Sequence, residues 1–475
     1  GACSEGTYIA SGAQAEAAGD LQVSYHAGLV SAREEKALGV NVNFDPCVDI
    51  LYNWRNTIVN TRAYGTDAET VIKYTNAYLD GLTAENGENM EDGVIQCIKH
   101  FPGDGTEERD QHLVLGVNEL SPEEWRASFG KVYQNHIDRG VEMIMAGHIA
   151  VPALQKELNS ALEDKDIMPA TLAEELIQDA LKTELGFNGL VITDATHMLG
   201  MTSAMRREDY VPKSIAAGCD MFLFFNNIAE DFGFMLKGYQ NGVITEERLT
   251  DALRRILGLK AKLHLPEKQA NGTLLRTRED LNVIGCEEHL QWRAEAADKG
   301  ISLIKDTQNN LPINPVDHKR IRLYMLEGEK GGITDNGSKA QQLFVDELTK
   351  RGYEVTVNER GSRVKGATLK YRDEVDFALE VADIAGYGAQ NNYRIQWSTA
   401  MANEVPWFVW EVPHAFVSLN FTTHLHDATM VKTFVNAYHN NEETIKQVID
   451  KLEGKSEFKG GHNDLVWTDK WQAKL

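Results

Sequence analysis

Cysteine is scarce in this sequence, and its placement excludes more than its presence suggests. Five cysteines stand in 475 residues (Cys3, Cys47, Cys97, Cys219, Cys286). The number is odd, the spacing is scattered, and no Cys-x-x-Cys or Cys/His clustering occurs, so neither a disulfide framework nor a zinc site is encoded. Cys47, Cys97 and Cys219 lie in or beside apolar runs, where a thiol behaves as a small buried hydrophobe. A reducing compartment and a secreted protein without bridges fit this pattern equally, with the cytoplasm slightly favoured. No apolar run is long enough to span a bilayer, so membrane insertion is not expected. Positive charge is also in short supply: 48 Lys and Arg face 71 Asp and Glu, a formal charge of -23. That balance argues against nucleic acid and anionic membrane surfaces as partners, because both would repel the chain. Phosphate-cradling motifs are missing as well. The glycine-rich patch Gly328-Glu329-Lys330-Gly331-Gly332 lacks the Lys-Ser/Thr ending and the helix context of a nucleotide loop.

Against these absences, two segments stand out. The apolar run Val94-Ile95-Gln96-Cys97-Ile98 reads as a short buried strand. It ends in Lys99-His100 and then in Phe101-Pro102-Gly103-Asp104-Gly105, which cannot continue regular structure. Asp110-Gln111-His112 follows at once. Two donors at a strand end and a loop with an Asp-x-His pair are parts of a site that grips hydroxyls and moves a proton. Taken alone, the segment reads equally well as a surface loop. The second segment is Gly189-Leu190-Val191-Ile192-Thr193-Asp194, in which another apolar strand delivers a carboxylate at its C-terminal end. By itself Asp194 also fits as a cap for the following helix.

The length suggests two domains. From about residue 38 to 260, apolar runs alternate with amphipathic helical stretches. The expected strands are Val40 to Phe44, Val94 to Ile98, Met143 to Ala146, Leu190 to Ile192, and Met221 to Phe224. Helix starts are legible at Thr66 with Glu69 and Thr171 with Glu174, both in capping-box spacing. A third start is Ser121-Pro122-Glu123-Glu124, which combines an N-cap, a first-turn proline and acidic residues. Strand alternating with helix is the signature of a parallel sheet. Asp49, Lys99-His100, His148, Asp194 and Asn226-Asn227 all sit at strand C-termini, the one-ended distribution of a TIM barrel. A doubly wound open sheet is the runner-up, but it lacks its glycine-rich loop. Only about five strands are clear where such a barrel has about eight. The expected domains are a (β/α) barrel over residues 1–265, a linker over 266–290, and an α/β second domain over 291–475. In the latter, Ile321 to Leu326, Phe377 to Ile384 and Phe416 to Leu419 read as strands. Residues near 286–298 and those after Asn441 read as helices.

The two catalytic-looking segments together resemble glycoside hydrolase family 3, in its β-N-acetylglucosaminidase branch. There the segments read Lys-His-Phe-Pro-Gly-His-Gly with Asp-Ser-His, and Ser-Asp-Asp-Leu-x-Met. The likeness extends to Asn43-Phe44-Asp45-Pro46 with Val48-Asp49, Asn60-Thr61-Arg62-Ala63-Tyr64-Gly65, and Ala217-Gly218-Cys219-Asp220-Met221. It also takes in Gly300-Ile301-Ser302-Leu303-Ile304-Lys305 with Leu311-Pro312. The resemblance implies a TIM-type barrel followed by a three-layer α/β sandwich. It further implies two upstream strands, so the chain, which opens at Gly1 without an initiator Met, is expected to be the remainder of a longer protein.

The resemblance implies Asp194 as the nucleophile of a retaining glycosidase, for which a strand-end carboxylate is suited. It assigns the acid/base to His112 with Asp110 as partner. An imidazole titrates near neutrality, and a neighbouring carboxylate orients and stabilises its charged form. Glu107 and Glu108 remain alternative acids. Arg62, Lys99, His100 and His148 match positions that hold sugar hydroxyls, while Cys47, His197 and Met198 are expected to line the pocket. The residues Asp104 and Thr193-Asp194-Ala195-Thr196 depart from the family pattern beside the site. The expected function is removal of terminal GlcNAc from oligosaccharides, with no metal or organic cofactor. A β-glucosidase, a GlcNAc phosphorylase, and a non-catalytic sugar-binding relative or inactive fragment are the alternatives.

Overall fold

In a computed structural model of the chain, the residues described are 5–90, 93–328, 338–385 and 393–475. Cys3 and the glycine-rich stretch beyond Gly328 lie outside them. The chain divides into two compact units: Gly1–Ile9 with Ser24–Leu290, and Ala10–Val23 with Gln291–Leu475.

In the first unit, beside a small parallel pair of Gly116–Val117 with Ile149–Ala150, the main sheet has four strands that alternate with helices: β1 (Val42–Asn43), β2 (Ile95–Phe101), β3 (Met143–Ala146) and β4 (Leu190–Thr193). They pair in parallel and in chain order, β1-β2-β3-β4. A single bridge from Ile192 to Met221 adds the start of a fifth stave. Sequential parallel neighbours joined by helices make the wall of a (β/α) barrel, as the sequence led us to expect. Among the described residues this wall is an open sheet with β1 at one edge. β2, β3 and β4 are buried on both faces except at Lys99, which is why they read as continuous apolar runs rather than alternating ones. Ile95, Cys97, Met143, Met145, Leu190 and Ile192 form one apolar cluster, joined by Leu263 and part-buried Val42, Phe44, Met221 and Leu223.

Strand β4 is anchored at its start. Buried Asp220 accepts the Val191 amide at 2.8 Å, and its own amide donates to the Val191 carbonyl at 2.7 Å. Arg248, from the helix Glu246–Lys262, pairs with the same carboxylate. The expected helix start at Ser121 is present, with its N-cap and first-turn proline, and Glu124 completes a capping box there. Two others are corrected. The helix Ala68–Thr83 is capped by Asp67, whose carboxylate accepts the Thr70 amide; with a carboxylate one residue closer, Thr66 is not needed. Thr171 sits in a short 3-10 turn, Ala170–Leu172, and its hydroxyl is taken by His148 instead. Cys47, Cys97 and Cys219 are free and buried, and Cys286 is free and half-buried. Residues 266–290 carry the helix Leu265–Ala270 and a 3-10 turn, Asp280–Val283.

The second unit holds a six-stranded sheet of β5 (Ser302–Asp306), β6 (Arg320–Glu327), β7 (Glu354–Val357), β8 (Phe377–Asp383), β9 (His414–Ser418) and β10 (Thr433–Asn436), in the order β5-β10-β9-β8-β6-β7. All pairs are parallel except β5 with β10. Both faces are covered. Leu323, Leu379, Val417 and Val435 pack with Phe344, Leu348, Val448 and Ile449 from helices Ala340–Lys350 and Glu442–Leu452. On the other face Ala382, Phe416 and Phe434 pack with Leu425 and Val431. This is the α/β second domain that the resemblance implied.

Candidate active site

The polar residues gather at the C-terminal ends of β2, β3 and β4. Backbone geometry sets each of them. The amide of Asp194 donates to the carbonyl of Ala146 at 2.8 Å, continuing the β3–β4 pairing by one residue. The Asp194 side chain turns back to accept the amide of Ala195 at 2.7 Å. Burial works against its charge, but the facing rings of His100 and His148, the Ala195 amide and His112 hold the carboxyl below its usual value. It therefore stays ionised.

His100 follows Lys99 at the end of β2. Its Nδ1 lies 2.7 Å from Oδ2 of Asp49, a fully buried carboxylate that accepts also from the amides of His100 (3.2 Å) and Asp104 (2.8 Å) and from the Cys47 thiol (3.0 Å). Burial alone would raise the Asp49 carboxyl; His100 and these donors lower it instead. With Nδ1–H spent on Asp49, Nε2 of His100 is the ring acceptor, and Arg62 Nη2 approaches it at 3.4 Å. Arg62 sits in the 3-10 turn Asn60–Arg62 and donates to the Ile58 carbonyl. Lys99 Nζ lies 3.5 Å from Asp45.

Three atoms here, Cys47 Sγ, an Asp49 oxygen and a His100 nitrogen, lie within 4.8 Å of one another. Hydrogens on the thiol and the ring join them to Asp49, so a metal ion at this point would have to displace both. Burial, and after it the Asp49 charge, pushes the Cys47 thiol up.

His112 and Asp110 form a local pair. Asp110 is fully buried, and its Oδ1 accepts both the His112 amide (2.9 Å) and the His112 Nδ1–H (2.6 Å). That commits Nδ1 and leaves Nε2 as the nitrogen for proton transfer. Partial burial would lower the ring's pKa, yet the bond to Asp110 and the charges of Asp110 and Asp194 override it, and the net shift is upward. Of the alternative acids, Glu107 is engaged with Arg109 and with the Val117 amide. Glu108 pairs with Arg55 at 3.7 Å on the surface.

His148 follows β3. Nε2 is 2.9 Å from the Ala195 carbonyl and Nδ1 is 2.9 Å from the Thr171 hydroxyl. A carbonyl can only accept, so the proton is on Nε2, Nδ1 accepts from Thr171, and both nitrogens serve protein atoms. Burial lowers the pKa of this ring.

One residue was legible only as a departure from the family pattern beside the site, and one escaped the sequence reading. Asp104, which departs from the family pattern, is buried, and its Oδ1 accepts from Asn56 at 3.0 Å and from the Gly105 amide at 2.6 Å. Burial, then the nearby Asp49, pushes its carboxyl up to about 8. The other is Phe224, 57% exposed, with φ +61° and its ring centroid 5.9 Å from that of His197. An apolar strand ending gives no hint of a left-handed residue, so only the neighbouring His197 was legible as pocket wall.

A parallel β/α wall whose polar side chains converge at one end of its strands defines an enzyme of the barrel class. Residues 3–259 match the glycosyl hydrolase family 3 N-terminal domain. A protein of Cellulomonas fimi described as β-N-acetylglucosaminidase/β-glucosidase is 39% identical over 476 residues, covering 99% of this chain and 82% of that protein. The β-hexosaminidase A of Pseudoalteromonas piscicida is 28% identical over 300 residues, 61% of this chain and 48% of its own. The solved structure of β-glucoside phosphorylase BglX superposes with a TM-score of 0.92 at 37% identity, covering 99% and 82% of the two chains. A β-N-acetylglucosaminidase from Paenibacillus shares the fold at 22% identity, with a TM-score of 0.77 over 96% and 84%. The chain belongs to glycosyl hydrolase family 3.

Proposed function

We propose that this protein is a retaining exo-β-N-acetylglucosaminidase that works through a covalent glycosyl-enzyme on Asp194. At the coarser level it is a family 3 glycosidase acting on β-linked sugars. The observation that carries the reading is the pairing of an ionised carboxylate at the end of β4 with the His112–Asp110 unit across the same strand ends. An Asp194 oxygen attacks the anomeric carbon as the bond to the leaving oxygen breaks, and His112 gives that oxygen the proton on Nε2. In the second half, His112 takes a proton from the acceptor, and the acceptor oxygen displaces Asp194. Asp110 compensates the imidazolium in the first step and holds the tautomer in the second. Arg62 and Lys99 hold the sugar's hydroxyls as charged donors, the stronger partners, and His100 meets them with its acceptor nitrogen Nε2. His148 supports the turn at Ala195.

A second reading changes the acceptor from water to inorganic phosphate. It is favoured by the 37% identity to a β-glucoside phosphorylase and by the chemistry of the base. A carboxylate base would repel phosphate, whereas a neutral imidazole does not. The experiment has two arms. Nitrophenyl β-GlcNAc and β-glucoside assayed side by side test the sugar; preference for the glucoside overturns the GlcNAc assignment. Product analysis at saturating phosphate tests the acceptor: free sugar as the sole product supports hydrolysis, and sugar 1-phosphate as main product replaces it with phosphorolysis.

A further inference from the structure

Cys47, Asp49 and His100 meet because two segments of the chain run side by side. A parallel bridge joins Cys47 to Lys99, and the Val48 amide donates to the Lys99 carbonyl at 2.8 Å. Asp49 and His100 thereby become neighbours across fifty-one positions, a separation over which no Cys/His spacing announces them. All three side chains are shut away from solvent, at 3%, 0% and 5% exposure. Oδ2 of Asp49 is shared by the other two, 3.0 Å from Sγ of Cys47 and 2.7 Å from Nδ1 of His100. Among the described residues this is the one group of three thiol, imidazole or carboxylate ligand atoms that gathers within 4.8 Å of one another.

One sulfur, one ring nitrogen and one carboxylate oxygen make a selective donor set. Thiolate and imidazole favour zinc and its softer relatives, whereas magnesium and calcium take oxygen ligands. Tetrahedral zinc, with bonds of about 2.0–2.3 Å, holds neighbouring ligand atoms roughly 3.3–3.6 Å apart. The two contacts to Asp49 are shorter, so side-chain shifts of about half an ångström admit such an ion.

The ion takes the place of two hydrogens. Ligation drives the thiol proton of Cys47 off to solvent, because a coordinated thiol is deprotonated outright. It also claims the Nδ1 lone pair of His100, so the ring proton moves to Nε2 and the ring stays neutral. The consequence falls on Nε2. Without the ion it is an acceptor, facing Arg62 Nη2 at 3.4 Å. With the ion bound it is a donor facing a donor, and the acceptor offered to a sugar hydroxyl is gone.

We propose that Cys47, Asp49 and His100 form a site for a borderline-soft divalent cation such as zinc, and that its occupancy inhibits the protein by turning His100 Nε2 from acceptor to donor. The site itself depends on no functional assignment. The inhibition rests on the sugar-holding role given to His100 above.

Cadmium is the probe for the site, since its bond to a thiolate gives an ultraviolet charge-transfer band. The full chain, incubated with the ion long enough for the buried cluster to open, is expected to show a band that saturates at one ion per chain. The band is expected to vanish in Cys47→Ser, which keeps a hydroxyl donor for Asp49, and to persist in Cys97→Ser. His100→Asn is expected to weaken cadmium binding at least about tenfold, and this arm decides if Cys47→Ser does not fold. No band in the wild type, a band undiminished in Cys47→Ser, or unchanged affinity in His100→Asn overturns the site.

Zinc in the glycosidase assay tests the consequence. KM is expected to rise at least about tenfold with kcat little changed, the scale of one mismatched buried donor. EDTA restores the rate, and magnesium has no effect. A cadmium band without any rise in KM overturns the inhibition and keeps the site. If the wild-type protein turns over no β-glycoside, the glycosidase reading fails and takes the inhibition with it, while the cadmium band still decides the site.

Discussion

His148 holds its Nε2 2.9 Å from the carbonyl of Ala195, the residue directly after Asp194. The ring is itself fixed through Nδ1 by Thr171, so the turn that aims the carboxylate is braced by a chain of three residues. Such bracing matters because a misplacement of about 1 Å at a reacting group costs on the order of a hundredfold in rate.

Asp194→Ala is expected to lose several powers of ten in turnover with its thermal unfolding little changed, as befits a reacting group. A 2-fluoro-sugar should trap a covalent adduct on a peptide containing Asp194 in the wild-type protein. Mass-spectrometric labelling of a different carboxylate would sink the assignment.

Asp110 and His112 should behave as one unit. The double variant Asp110→Ala/His112→Ala is expected to be little worse than His112→Ala alone, since groups acting together are non-additive. Substrates with activated aryl leaving groups should recover much of the lost rate, because they need no proton. Equal damage across good and poor leaving groups would remove the acid role.

The pH dependence follows from the direction of two shifts. In the proposed mechanism His112 is protonated for the first step, and its pKa is raised above the ordinary 6.5, so activity is expected to be lost as pH rises through that raised value. The same mechanism needs Asp194 ionised, and its pKa is lowered below the ordinary 3.8, so activity is expected to be lost as pH falls through that lower value. Asp110→Asn removes the raising partner and should move the basic limb of kcat/KM downward. A basic limb that stays in place would show that another group sets it.

Asp104 gives a prediction about stability. Its carboxyl is pushed up to about 8 in the fold, against an ordinary 3.8. Between these values the folded state keeps a proton that the unfolded chain has released, so stability falls as pH rises from about 4 to about 8. Asp104→Asn keeps an acceptor for Asn56 and Gly105 and cannot ionise. Its stability relative to wild type should therefore climb by at least about 1 kcal/mol between pH 5 and 7. Denaturant titration at the two pH values reads it; a constant difference would contradict the buried neutral acid.

Much of this architecture was legible because apolar runs and polar endings coincide. Met143–Ala146 begins and ends where the pattern put it, and Asp194 and Lys99-His100 stand at the ends of the strands that delivered them. The failures have local causes. Met221 to Phe224 reads as a strand, but the Leu223 amide goes to the Thr193 side chain rather than to a backbone ladder, so only one bridge forms at Met221. Asp67 outcompetes Thr66 as a cap because it reaches the Thr70 amide and hydroxyl together. The strands Glu354–Val357 and Thr433–Asn436 each carry two polar residues in four, Glu354 with Thr356 and Thr433 with Asn436, so neither shows the apolar run that marks Met143–Ala146. The partner of His100 lies fifty-one positions away at Asp49, a separation that spacing alone cannot bridge. That residues 10–23 belong with the second compact unit is equally invisible in the local pattern.

The interior thiols make the barrel wall self-reporting. Cys97 lies within β2, Cys47 beside Asp49, and Cys219 one residue from the Asp220 anchor, and burial holds all three thiols in the unreactive protonated form. A thiol reagent reaches them only when the surrounding segment opens, whereas half-buried Cys286 provides the prompt signal. Labelling rates followed peptide by peptide would thus time the breathing of three separate points behind the candidate site, with no probe introduced and no residue changed.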